Sequence, residues 1–255
     1  MAIFKANRET ISPKQKFYFS APSGETSKLF KTSWKPNMIN DMIFWGDANS
    51  RNIKSDNNGV YYWKDNSGKM NHGHQTNNKP THLNNIINGF PALYFNNNNS
   101  IIVDLSINYF TIITVTKVID DDYIYEFGEV AGDGGFYLNG DTNSLSINNS
   151  GLKSQKSNGN GWFSGDWEIL THKYGGTHES NSLYINNQFI NLSPNFYDDD
   201  PGDLNLSDVF RIGSNYDTVY GINGYIAEII IFNRNLTDDE QNQVNNYLNY
   251  KYQIY

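Results

Sequence analysis

Gly224–Tyr255 reads GYIAEIIIFNRNLTDDEQNQVNNYLNYKYQIY, and its two halves follow different periodicities. Tyr225–Phe232 is an apolar run broken by a single carboxylate, Glu228. A strand open to water on one face alternates polar and apolar residues, so an unalternating run fits a strand covered on both faces. From Leu236 the pattern turns helical. Thr237 is placed to cap the helix, Glu240 completes a capping box, and Asp238 and Asp239 complement the positive helix end. Val244, Tyr247, Leu248 and Tyr252 recur on one helical face, which predicts a terminal helix packed against one edge or end of the body. A buried Glu228 needs a cation or several hydrogen bonds, and Arg211 and Arg234 are the expected partners.

Upstream of this stretch, short strand-like segments recur at regular intervals. Examples are Val60–Trp63, Ala92–Phe95, Phe110–Val118, Tyr123–Phe127, Trp167–Tyr174 and Val209–Gly213. Asn186 and Asn187, between Leu183–Ile185 and Gln188–Ile190, fit a two-residue hairpin turn in which both residues take positive φ. Hydrophobic residues are only 38% of the 255, but 18 Tyr, 15 Phe and 5 Trp supply large side chains for a two-sheet core. There is no cysteine, so neither disulfides nor thiolate metal sites hold the fold.

The C-terminal stretch resembles one form of the laminin-G-like domains, within the wider concanavalin A-like lectin/glucanase family, in which a last strand like IAEIIIFNR precedes a helix beginning LTDDE. Three further blocks resemble the opening strands of that form: Met42–Asp47 (MIFWGD), Tyr62–Asn71 (YWKDNSGKMN) with His72, and Gly89–Asn96 (GFPALYFN). The resemblance implies an all-β, two-sheet antiparallel jelly-roll sandwich with one C-terminal α-helix, spanning residues 41–255. It says little about function, because the fold serves lectins, glycanases and structural modules alike.

Residues 1–40 stand apart by charge. Seven cations against Glu9 and Glu25 give +5, leaving −13 for the remainder of a chain whose net charge is −8. This basic leader reads as an extended attachment arm for a particle or scaffold protein; the plainer alternative is a solvated tail or an extra edge strand. The acidic remainder would repel phosphates, so nucleic acid is not an expected partner. No segment approaches membrane-spanning length, and MAIFKANRETISPKQ lacks the apolar core of a signal peptide. The form that the chain resembles includes phage and viral structural proteins as well as bacterial surface proteins. Together with the missing export signal, that resemblance implies the surface of a virus or phage particle as the expected setting, as a capsid decoration or tail-fibre component, with a bacterial surface or the extracellular medium as alternatives. A homo-oligomer is left open.

Glucanases of this fold carry an E-x-D-x-x-E strand, because two carboxylates must supply nucleophile and acid. The pattern is missing here. Glu126 and Glu129 flank Phe127-Gly128, a spacing that does not keep them on one strand face, so a non-enzymatic protein is expected, with a stand-alone carbohydrate-binding protein or a glycoside hydrolase of this fold as the alternative. Asp198, Asp199, Asp200 and Asp203 in YDDDPGD offer the oxygen ligands that calcium takes, though the plainer reading is a solvated acidic loop. His72 is expected to make a turn hydrogen bond. For carbohydrate, the expected surface combines Trp162 and Asn160 of NGNGWFSGDW with Asn215, Tyr216, Asp217 and Tyr220 of SNYDTVYG. There aromatic rings would meet sugar CH faces while amides and a carboxylate meet hydroxyls, making a cell-surface glycan the expected ligand. Trp45, Trp63 and Trp167 read as packing residues.

Overall fold

The computed structural model describes residues 34–120, 123–129, 134–139, 144–149, 152–157, 164–197 and 200–255. A compact unit spans Lys35–Tyr255; the expected arm lies almost wholly outside the described residues. Strands β1 (Met42–Asp47), β2 (Ile53–Asp56), β3 (Gly59–Trp63), β4 (Gly73–His74), β5 (Thr81–Ile87) and β6 (Phe90–Asn96) come first. They are followed by β7 (Ile101–Ile107), β8 (Phe110–Asp120), β9 (Tyr123–Glu129), β10 (Gly134–Asn139), β11 (Ser144–Asn149) and β12 (Leu152–Ser157). The last six are β13 (Glu168–Tyr174), β14 (Ser182–Ile185), β15 (Gln188–Ile190), β16 (Ser193–Tyr197), β17 (Leu206–Ile212) and β18 (Asn223–Phe232). Helix α1 (Asp238–Tyr252) ends the domain.

These strands form two antiparallel sheets, as the sequence predicts. The first runs β15-β14-β13-β8-β18-β6-β5, with β1 also on β18; the second runs β16-β12-β11-β10-β9-β17-β7-β4-β3-β2. Phe44, Trp63, Phe95, Phe110, Phe127, Phe136 and Phe210 are fully buried in the core. Phe110 stacks on Phe136 at 4.0 Å between centroids, and Phe127 on Phe136 at 5.3 Å. Large rings thus fill the core of a chain poor in aliphatics.

β18 occupies the centre of the first sheet. Its register against β8 slips between Ile226, opposite Thr116, and Glu228, opposite Val115, leaving Ala227 as a bulge. One extra residue inverts the side-chain alternation beyond it. Ile226 and Ile229 therefore both enter the core, while Tyr225, Glu228, Ile230 and Phe232 take the outer face. Helix α1 covers the latter half of that face, burying Val244, Leu248 and Tyr252, each contributing roughly 1.5–3 kcal/mol. The helix thus lies on a sheet face and not, as expected, at an edge or end, because an unalternating strand needs its second face covered along its length. Its start matches the sequence reading. The Thr237–Glu240 capping box is present, and Arg234 grips Glu240 through two bonds of 2.8 Å, holding that carboxyl down at about 2.

Glu228 finds its cation in the helix, not in Arg211 or Arg234. Lys251 Nζ donates to its Oε2 at 2.6 Å, Tyr252 Oη to Oε2 at 2.8 Å, and Trp45 Nε1 to Oε1 at 2.7 Å. Burial raises the Glu228 carboxyl, against the pull of Lys251. Burial alone would lower the Lys251 ammonium, but Glu228 and Asp47 outweigh it and hold it above its ordinary value. Arg234 cannot serve, since Glu240 and Asp41 occupy it. The WKDNSG block is a second structural knot. Asp65 accepts from the backbone of Trp45, Ser67 and Asn71, and its own N–H donates to His72 Nδ1 at 3.1 Å, the turn bond expected of that histidine.

Candidate functional site

The loop Ser214–Gly221 joins β17 to β18 and carries four of the predicted glycan-binding residues. A bridge between Ser214 and Gly221 closes its base. Gly213 sits at φ +95°, where a Cβ would meet the Phe95 ring at 2.2 Å, so only glycine lets the chain turn there. Asn215 is buried and staples the loop. Its N–H donates to Tyr220 O at 2.7 Å, and its Oδ1 accepts from Val219 and Tyr220 N–H at 3.0 and 3.1 Å. The sequence reading placed Asn215 among the ligand contacts; its side-chain oxygen instead shapes the turn.

That staple pushes the other residues outward. Tyr216, Val219 and Tyr220 are 39%, 58% and 57% exposed, and Asp217 is exposed beside them. Tyr216 is held from beneath. Its N–H donates to Glu126 Oε2 at 2.6 Å, and the Arg211 guanidinium lies 4.6 Å from its ring centroid. Arg211 and Glu126 are cross-strand neighbours on β17 and β9, pointing to the outer face of the second sheet, away from buried Phe210 and Ile212. Arg211 Nη1 is buried with no hydrogen-bond partner among the described residues. The arrangement is a tyrosine ring fixed by a cation on one face and left to solvent on the other. It can stack a flat apolar surface. Arg211 and Glu126 escaped the sequence reading as supports because only strand register brings them under the loop.

Trp162, Asn160, Asp198 and Asp199 lie outside the described residues. Asp200 accepts the His178 backbone N–H at 2.8 Å, and Asp203 accepts the Tyr109 hydroxyl, so the two carboxylates anchor the segment to different neighbours. Among the described residues no three His, Asp or Glu side chains converge as a metal site. Trp45 and Trp63 are buried, as predicted for packing residues, whereas Trp167 is only half-buried. A cleft of ≈ 660 Å³ is lined by Lys69, Asn71, Asp104, Ser207 and Asp208 among others; none of the predicted site residues borders it.

A buried polar chain crosses the core. Tyr125 Oη lies 3.0 Å from His172 Nδ1, His172 Nε2 3.0 Å from Asn181 Oδ1, and Ser154 Oγ 2.8 Å from His178 Nδ1. Asn181 Nδ2 donates to Ser154 O, which orients the amide. Nε2 of His172 is therefore the protonated nitrogen, and Tyr125 donates to Nδ1. Burial above all, with the Lys156 charge added and the Asn181 bond opposing, lowers His172 to about 4. Ser154 and His178 have the contact of a nucleophile and its base, but Ser154 is fully buried, out of a substrate's reach.

No family model matches the chain, and no curated protein matches it. Among solved structures it is similar to domain 4 of an extracellular GH43 arabinanase from Geobacillus stearothermophilus in complex with arabinotriose. That likeness has TM-score 0.58 at 15% identity, over 80% of this chain and 98% of that one. A Trypanosoma rangeli sialidase in complex with sialic acid gives 0.52 at 12%, over 80% of this chain and 32% of that one. Botulinum neurotoxin type C, whose cell entry depends on interaction with two ganglioside molecules, gives 0.52 at 17%, over 82% and 51%. The chain thus spans about a third of the sialidase and half of the toxin chain. These likenesses establish a β-sandwich fold.

Proposed function

We propose that the chain is a non-enzymatic, glycan-binding sandwich of the concanavalin A-like, laminin-G-like type, with Tyr216 and Tyr220 of the Ser214–Gly221 loop as its sugar platform. The observation that carries this is Tyr216, an exposed ring whose backbone and inner face are fixed by Glu126 and Arg211. A pre-positioned ring loses little freedom when a sugar stacks on it. The sugars bound by the arabinanase domain and the sialidase, and the gangliosides engaged by the toxin, support the reading by analogy. Neither Glu228 nor Glu126 is open to a substrate. Glu228 is sealed beneath the helix, and Glu126 is buried and bonded to the loop. A glycan array with the full chain, repeated with Tyr216→Ala and Tyr220→Ala, tests this; signals unchanged in both folded variants would remove the loop as the site. Release of reducing ends from any bound glycan would overturn the non-enzymatic reading.

A second reading, display on a virus or phage particle through residues 1–40, is favoured by the division of charge between leader and domain. Antibodies against the domain should then label purified particles, and unlabelled particles would end it.

A further inference from the structure

Helix α1 covers only part of the outer face of the first sheet, and the uncovered end carries aromatic residues where solvent-facing strands ordinarily carry polar ones. The pairing registers place Thr81 of β5, Tyr94 of β6, Tyr225 of β18 and Lys117 of β8 in one line across four strands. Trp167, just before Glu168, which pairs with Thr116, continues that line. Tyr94 and Tyr225 lie 5.0 Å apart between ring centroids, and Tyr225 and Trp167 6.0 Å. All three rings and Lys117 are half-buried, and Ile119 beside them is 55% exposed. Tyr94 is pinned by a 2.9 Å bond to Asn223 Oδ1. The Lys117 ammonium makes no hydrogen bond or ion pair among the described residues.

We infer that this row is a second carbohydrate-binding surface, separate from the Ser214–Gly221 loop, which takes a soluble, neutral polysaccharide chain. Three contiguous rings offer stacking surfaces for successive sugar units, and the uncommitted ammonium of Lys117 among them donates to hydroxyls. The rings are not coplanar. Tyr94 is tilted 42° and Trp167 43° from Tyr225, so the row fits a chain whose units rotate along its length and not the flat face of a crystalline fibre. Charge selects a neutral ligand. The domain outside the leader carries −13 within a net −8, and exposed Asp120 and Asp166 flank the row in sequence, so a polyanion would be repelled.

Electrophoresis of the full chain through gels containing soluble arabinan, xylan or mixed-linkage β-glucan tests the proposal, with polygalacturonate and crystalline cellulose as controls. At least one neutral gel should retard the wild type. Trp167→Ala and Tyr225→Ala should each weaken that retardation about tenfold. Lys117→Gln, which keeps most of the aliphatic stem, should weaken it about threefold, and these losses should be the same in a Tyr216→Ala background. Circular dichroism verifies that each variant is folded, and Lys117→Gln decides the matter if the aromatic variants are not. No retardation in any neutral gel, equal retardation of the wild type and Lys117→Gln with the aromatic variants, or loss with Tyr216→Ala alone would overturn it. The last result would assign the binding to the loop.

Discussion

His172 makes the stability of the sandwich depend on pH in a way that one substitution can isolate. The ring is fully buried between Tyr125 and Asn181, and its value falls from 6.5 in the unfolded chain to about 4 in the folded one. Between these values the unfolded state binds the proton and the folded state does not. Stability is therefore fully present above 6.5 and is lost as pH falls toward 4. Lowering the pH from 7 to 4.5 removes roughly 2 kcal/mol by this route, a large share of the ~5–15 kcal/mol typical of a folded domain. Urea unfolding followed by tryptophan fluorescence at both pH values measures the loss, provided the slope m stays constant. Burial also lowers His178, so the comparison is with His172→Gln, which keeps the contribution of every other group and deletes that of His172. The variant's loss between pH 7 and 4.5 should be roughly 2 kcal/mol smaller than the wild type's. Equal losses in the two proteins would show that His172 is not held neutral by burial, and the hydrogen-bonded chain assigned to it would fail.

Other perturbations have expected signs as well. Lys251→Met leaves the Glu228 charge buried without its cation and should cost about 3–5 kcal/mol, with much of this recovered when Glu228→Gln is added; a double-mutant cycle by thermal unfolding reads the coupling. Gly213→Ala, forced against Phe95 at positive φ, should destabilise by more than about 2 kcal/mol, whereas Gly68→Ala, at φ +90° with open space around it, should cost about 1 kcal/mol. Thr237→Ala should cost about 1 kcal/mol through loss of the capping box, seen as a lowered Tm.

What could be read from the chain, and what could not, divides by the range of the interactions involved. The capping box, the helical face and the Asn186-Asn187 turn, whose residues take φ of 50° and 65°, are set by neighbours a few positions apart. The unalternating β18 announced that both its faces are covered. It could not say by what, and the helix was expected at an edge until the structure placed it on the face. Glu228 announced a missing cation in the same way. One signal pointed to the right partner, since Lys251 is the only cation in α1 and adjoins Tyr252; Arg211 and Arg234 are merely nearer to Glu228 in sequence. The sites fared worse, because Tyr94, Lys117, Trp167 and Tyr225 meet only through register, and Trp167 alone reads as one more core tryptophan.

The Ala227 bulge shows why such sites resist local reading. Without the extra residue, strict alternation would put Tyr225 and Glu228 on opposite faces of β18. Either the tyrosine would leave the aromatic row for the core, or the carboxylate would enter the core without Lys251, Tyr252 and Trp45. With the bulge, one outer face presents Tyr225 to solvent at one end and Glu228 to the helix at the other. A single backbone irregularity thus couples the anchor of the terminal helix to the half-buried aromatic row beside it. It leaves no mark in the sequence except that Ala227 and Glu228 interrupt the line of isoleucines where the register slips.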